Sequence, residues 1–446
     1  MTPRRRLVVL LTCCGGLVMV SIDNTIVNVA LPAIGRDLQA SLSGLQWIID
    51  AYTLVLASLF LFAGSIADRF GRRRTFLAGL MLFTAGSLLC TVAPTLGVLV
   101  VSRVVQAVGG SMLNPVAMSI ITTVFPEPKE RARAIGIRAS ATGLSMALGP
   151  IVGGVLTDSI GWRSIFWINI PIGITVAVLA VLFVPESRAT QPRRLDPVGQ
   201  LLIAGALVTV IYGIVEGPRH GWSSPESIGL FGVSALIVIC FAGYELRRVD
   251  PLLELRFFRS VPLSGATVTA VAAYSGFGGF LFLNALYLQD TRGYSALAAG
   301  LYTLPTALAA FLLAPTAGRI VAARGVRVPL YLAGLCVMVS AAMLTGLTRS
   351  TPLPQLLIAY LIFGGGVGMV NSPITNTAVS GMPRGQAGVA AAVASTSRQL
   401  GQSLGVAVSG SIAGTAAGVV GPGFASATHP MWWLIVGCGG LIIVLC

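Results

Sequence analysis

The chain has 446 residues, of which 55% are hydrophobic and only 10% charged, and its mean hydropathy is +0.87. A soluble domain carries about 25% charged residues, so a soluble enzyme, a secreted scaffold and a nucleic-acid module are all disfavoured against a polytopic helical membrane protein. The net charge of +14, from 29 Lys and Arg against 15 Asp and Glu, then reads as cation-loaded loops that set topology, with no nucleic-acid partner.

Fourteen apolar segments reach or approach the ~20 residues that a span needs. They run roughly over 7–33, 44–67, 75–93, 96–125, 134–157, 163–184, 198–217, 228–247, 261–289, 296–321, 328–347, 353–379, 386–413 and 431–446. The expected architecture is all-α, with short loops and no extramembrane domain. Twenty-three of the 29 cations fall on the N-terminal side of this arrangement, among them Arg4, Arg5, Arg6, Arg188, Arg193, Arg194 and Arg384. That bias places both termini in the cytoplasm. The seven cysteines lie in apolar runs without metal-ligand spacing and read as small hydrophobes with no disulfide framework.

In chain order, the first span carries Ser21, Asp23, Asn24, Thr25 and Asn28. A charge at mid-helix costs roughly 2.5–3.5 kcal/mol on insertion scales, so this cluster faces other helices or a water-filled cavity. Asp23 is either a carboxylate that exchanges a proton or a hydrogen-bonded node that fixes packing. Asp50, near the start of the second span, is either a second proton or cation site or a solvated residue at the membrane face. The following loop contains Gly64, Asp68, Arg69, Gly71 and Arg72. An acid at a helix C-terminus is unfavourable by the macrodipole, so Asp68 is expected to meet arginines or another helix's N-terminus. The alternatives are a gating clasp and an ordinary topogenic loop, with Gly71 permitting the tight reversal.

Arg103 is the cation placed well inside a span, with Gln106 about one turn on along the same face. An unpaired guanidinium there is costly, so a carboxylate or polar cavity is expected close by, for charge coupling or as a static ion pair. The fifth span holds Gly143, Gly149, Pro150, Gly153 and Gly154. The proline removes a helical donor and the glycines admit a close neighbour, which reads as packing or as a specific bend. Glu216 and Asp290 at outer helix ends read as solvated loop charges. A weak internal repeat links residues 64–74 to 318–327, and such paired halves mark transporters with a substrate path at their interface. No nucleophile–base constellation, phosphate loop or zinc site is apparent, so neither an enzyme nor a cofactor is expected.

At these residues the chain resembles the major facilitator superfamily, and within it the fourteen-spanner drug:proton antiporters of the QacA/EmrB type. Residues 23–32 are similar to that family's first-helix motif and residues 64–74 to the superfamily's loop motif. Arg103, Gln106 and Gly109 resemble the fourth-helix motif, residues 143–154 the fifth-helix antiporter motif, and residues 161–173 the segment entering helix six. The resemblance implies a six-helix bundle over 1–190, two additional helices over 191–255 and a second six-helix bundle over 256–446. It implies a monomer in the cytoplasmic membrane that exchanges amphipathic small molecules for protons by alternating access, with the proton gradient as energy source. By the same resemblance, Asp23 couples protons or recognises cations, Arg103 couples charge, Asp68 and its arginines latch the inside face, and the fifth-helix bend suits antiport. An endogenous lipid, siderophore or metabolite is the alternative cargo. The second half departs from the pattern: Ala322 stands where the first half has Asp68, and the twelfth and thirteenth spans hold no acid. Monocationic, neutral or zwitterionic amphiphiles therefore fit better than dications.

Overall fold

Several helices begin at a side chain that caps the first turn or at a proline in its first positions. The computed structural model describes residues 1–189, 195–248, 251–380, 387–417 and 423–446. The expected loop cations Arg193, Arg194 and Arg384 and the expected boundary at 190/191 lie outside the described residues. The first helices are α1 (Pro3–Asp37), α2 (Leu42–Phe70), α3 (Arg72–Thr91), α4 (Leu96–Val124), α5 (Pro128–Ser159), α6 (Ser164–Trp167) and α7 (Asn169–Phe183). A hairpin follows, α8 (Pro197–His220) and α9 (Pro225–Glu245). The remainder comprises α10 (Val261–Leu286), α11 (Ala296–Arg324), α12 (Arg327–Leu344), α13 (Leu353–Ser380), α14 (Ala387–Ala417), α15 (Phe424–Ala427) and α16 (His429–Val444). Thr2, Ser41, Thr95, Asp196, Ser224 and Ser295 each accept a backbone N–H at the start of α1, α2, α4, α8, α9 and α11.

Thirteen helical segments among the described residues are long and apolar enough to cross a membrane. The chain is therefore a multi-pass, all-helical membrane protein. Helix α14, expected as the thirteenth span, is not among the thirteen. It is rich in Ser and Gln and carries Arg398. It packs against α10, α2, α8 and α13, and a polar helix is tolerated at membrane depth where protein surrounds it.

Helices α1 to α5 and α7 pack on one another, with α1 on α5, α2 on α4, and α3 on α4 and α7. Helices α10 to α14 and α16 form a second group, with α10 on α14, α11 on α13, and α12 on α13 and α16. The α8–α9 pair is packed together, and α8 lies against both α2 and α14. Three seams join the groups: α5 with α11, α2 with α14, and α1 with α10.

We call the face on which α1 begins the near face, and the opposite one the far face. Among the described residues, the side-chain hydrogen bonds between the two groups all lie at mid-depth or in the far half. Gln289 Nε2 donates to the Val29 carbonyl at 2.7 Å, and Gln46 Nε2 donates to the Ala407 carbonyl at 2.7 Å. Arg36 pairs with Asp290 at 3.0 Å. The Asp158 carboxylate accepts the Ala296 and Leu297 N–H groups at 3.2 and 2.8 Å, capping the start of α11 from the end of α5. The molecule is thus zipped on its far face.

Candidate functional site

Helices α1, α3 and α7 each bring one polar side chain, and α4 brings two, to a single point inside the first group. Asp23 and Arg103 are 0% and 1% exposed. Arg103 Nη1 lies 2.5 Å from Asp23 Oδ2. The other oxygen, Oδ1, accepts Gln106 Nε2 at 2.8 Å and Asn169 Nδ2 at 3.1 Å. Gln106 Nε2 also donates to Ser87 Oγ at 2.8 Å, and its Oε1 accepts Arg103 Nη1 at 2.6 Å. Arg103 Nε donates to the Ile48 carbonyl at 3.2 Å, and its guanidinium lies 4.0 Å from the Tyr52 ring centroid. Both Asp23 oxygens therefore have partners and its charge is cancelled. Such a network is strong while complete and costly when one member is lost. The sequence singled out Asp23, Arg103 and Gln106. It did not single out Ser87, Asn169 or Tyr52, because an uncharged polar residue in an apolar helix carries little signal.

Asn24, the next residue along α1, points instead across the seam. It exchanges amide hydrogen bonds of 3.3 Å with Gln402 of α14. Asp50 lies on the α2–α14 seam and is 0% exposed, so it is not solvated at a membrane face. Ser403 Oγ donates to Asp50 Oδ1 at 2.6 Å, while Oδ2 is buried without a partner. No cation pairs with Asp50 among the described residues. It differs from Asp23 in two ways: it sits between the two helix groups, and one of its oxygens has no partner.

At the near face, Asp68 Oδ1 pairs with Arg72 Nη2 at 3.1 Å, and Arg72 Nη1 donates to Thr123 Oγ1 at 2.5 Å. Gly71 turns the chain at φ +113°, a conformation that favours glycine. Glu186, beyond α7, accepts the Arg73 and Arg74 N–H groups at 3.1 and 3.3 Å. It occupies the N-terminus of α3, where a carboxylate is favourable. Asp68 thus meets an arginine, and the acid on the helix N-terminus is Glu186, which the sequence did not mark. Arg69 lies over the Phe70 ring at 6.0 Å, and Gly64 stands in open space.

Helix α5 runs unbroken through Pro150. Gly149 and Gly153 face Thr25 and Ile26 of α1, and Gly143 lies beside Phe311 of α11. A Cβ on Gly154 would sit 2.5 Å from Leu297 Cα, so this glycine sets the α5–α11 separation. Glu216 is buried, accepting from Trp47 Nε1 at 3.3 Å and pairing with Arg219 at 3.1 Å. Together with the Arg36–Asp290 pair, this replaces the expected solvated loop charges with built contacts.

Residues 13–406 match the family described as Major Facilitator Superfamily. The chain is 36% identical over 397 residues to the multidrug resistance protein Stp of Mycobacterium tuberculosis, covering 89% of this chain and 74% of that one. It is 35% identical over 395 residues to the tetracenomycin C resistance and export protein of Streptomyces glaucescens, covering 88% and 73%. The fold superposes on a D-xylose–proton symporter with a TM-score of 0.71 at 15% identity, covering 98% of this chain and 96% of that one. The motifs, the two packed helix groups and these relatives agree, and the chain belongs to the major facilitator superfamily.

Proposed function

We propose that the protein is a proton-coupled exporter of amphipathic drugs or other small hydrophobic compounds, of the fourteen-spanner drug:proton antiporter type. Relatives named for multidrug, tetracenomycin C and puromycin resistance support the cargo class. On this reading the near face is cytoplasmic, both termini lie inside, and segments 1–190 and 256–446 rock about the substrate path with 191–255 between them.

The observation that carries the coupling is Asp50. Ionised in the closed seam, it would hold a charge in a dry contact with one oxygen unpartnered, and an uncompensated buried charge is costly. The neutral carboxyl, hydrogen-bonded to Ser403, fits the closed far face; the ionised form fits the open one. Closing the far face then requires a proton taken from that side, and opening the near face gives that proton an exit to the cytoplasm. The Asp23–Arg103 node keeps its charges matched throughout and serves as the rigid anchor for α1 and α4.

The test is a drug-susceptibility panel in cells stripped of their own pumps, with and without a protonophore. Resistance that the protonophore abolishes is the expected result. Resistance that ignores the protonophore would remove the antiport reading, and resistance to no compound would favour an endogenous metabolite as cargo.

A further inference from the structure

An open cavity of about 370 Å³ lies at the near face between the start of α1 and the end of α7, lined by Thr2, Arg4, Arg5, Val8, Leu182 and Phe183. The two helices pack on one another, and Arg5 Nε donates to the Phe183 carbonyl across the cavity at 3.3 Å. The lining holds two arginines and no acid. Arg6, the next residue, pairs with Glu130 at 2.9 Å, whereas among the described residues neither Arg4 nor Arg5 has a carboxylate partner. Arg5 gives the protein only its Nε, and its two Nη groups have no described protein partner. Thr2 Oγ1 already caps the first turn of α1 by accepting the Arg5 N–H at 3.4 Å, so the side-chain cations set the field in this cavity.

Away from the arginines both walls turn apolar and stay uncovered. Leu7 and Leu11 follow Arg4 at three and seven residues, on one face of α1, and both are exposed. On α7, Leu182, Val178 and Ile174 recur every four residues and are exposed as well. A cationic seat at the end of the first span thus continues into two apolar stripes that run along the membrane-crossing helices.

We propose that this groove binds an anionic phospholipid, with the phosphodiester held by Arg4 and Arg5 and an acyl chain laid along the stripes of α1 and α7. The guanidinium fork matches a phosphate in charge and geometry, and basic pockets between helices at the membrane surface suit such headgroups. A soluble anion would satisfy the arginines and leave the stripes bare. A zwitterionic lipid would bring a second cation into a groove that has no acid to meet it. The lipid ties the start of α1 to the end of α7, the helices that carry Asp23 and Asn169, so its binding stabilises the first helix group by mass action. This lipid partner is additional to the exported cargo and holds for any cargo.

The test uses the full chain in detergent micelles, titrated with dioleoyl-phosphatidylglycerol, dioleoyl-phosphatidylcholine or inorganic phosphate, with bound lipid counted by native mass spectrometry. The expected result is tighter binding of the glycerol lipid, weakened about tenfold in R4Q/R5Q, as for loss of charge-assisted bonds, with phosphatidylcholine binding unchanged as the sign of an intact fold. R256Q/R259Q, which removes two exposed arginines elsewhere on the near side, should keep the preference. L182W, which fills the groove and keeps both charges, should weaken it. An undiminished preference in R4Q/R5Q, or equal losses in the two arginine pairs, would overturn the site. Displacement of the lipid by inorganic phosphate at equal concentration would overturn the lipid assignment in favour of a free anion.

Discussion

At the residue scale, two buried aspartates have opposite designs. Asp23 accepts hydrogen bonds at both oxygens and balances Arg103, so removing it strands a buried guanidinium. Asp23→Ala is expected to cost about 3–5 kcal/mol, read as a lower unfolding temperature in detergent, whereas Asp50→Asn, which preserves shape and the Ser403 contact, should cost under about 1 kcal/mol. Equal losses from the two would contradict the assignment of anchor and exchanger. The charged members of both sites were legible in the sequence because a charge in an apolar helix demands an explanation. Their neutral partners Ser87, Asn169 and Ser403 were not, since serine and amide side chains are common in packed membrane helices and only three-dimensional proximity selects them.

At the scale of elements, the spans were legible from the length and apolarity of their segments, and the reversal at Gly71 from its glycine. Helix α14 has the length of a span, and its polar content is explained by the helices around it. Two glycines carry sharp expectations. Gly71 holds φ +113° with Glu186 against it, so Gly71→Ala is expected to cost about 1–3 kcal/mol in strain, measurable by thermal unfolding. Gly154 meets the backbone of α11, so Gly154→Leu should wedge the α5–α11 seam open. Spin labels across the far ends of α5 and α11 should then report a longer distance than in the unsubstituted protein; an unchanged distance would show that the seam does not depend on this approach. Asp68→Asn removes the Arg72 pair at the near face and should slow turnover more than it raises KM in transport assays.

At the scale of the whole molecule, two helix groups are zipped at the far face by Gln46, Gln289, Arg36 and Asp158, with Asp50 buried in the same seam. Charge scarcity makes this arrangement selective: each buried charge in the seam must find a partner, a proton or a ligand. The central claim is that protonation of Asp50 is tied to closure of the far face. The most direct measurement is uptake of a fluorescent amphiphile into inside-out proteoliposomes under an imposed pH gradient, comparing the unsubstituted chain with Asp50→Asn. The account predicts that Asp50→Asn still binds the amphiphile and exchanges it down its own gradient but no longer concentrates it when the pH gradient is applied. Accumulation driven by the pH gradient at the unsubstituted level in Asp50→Asn would contradict it.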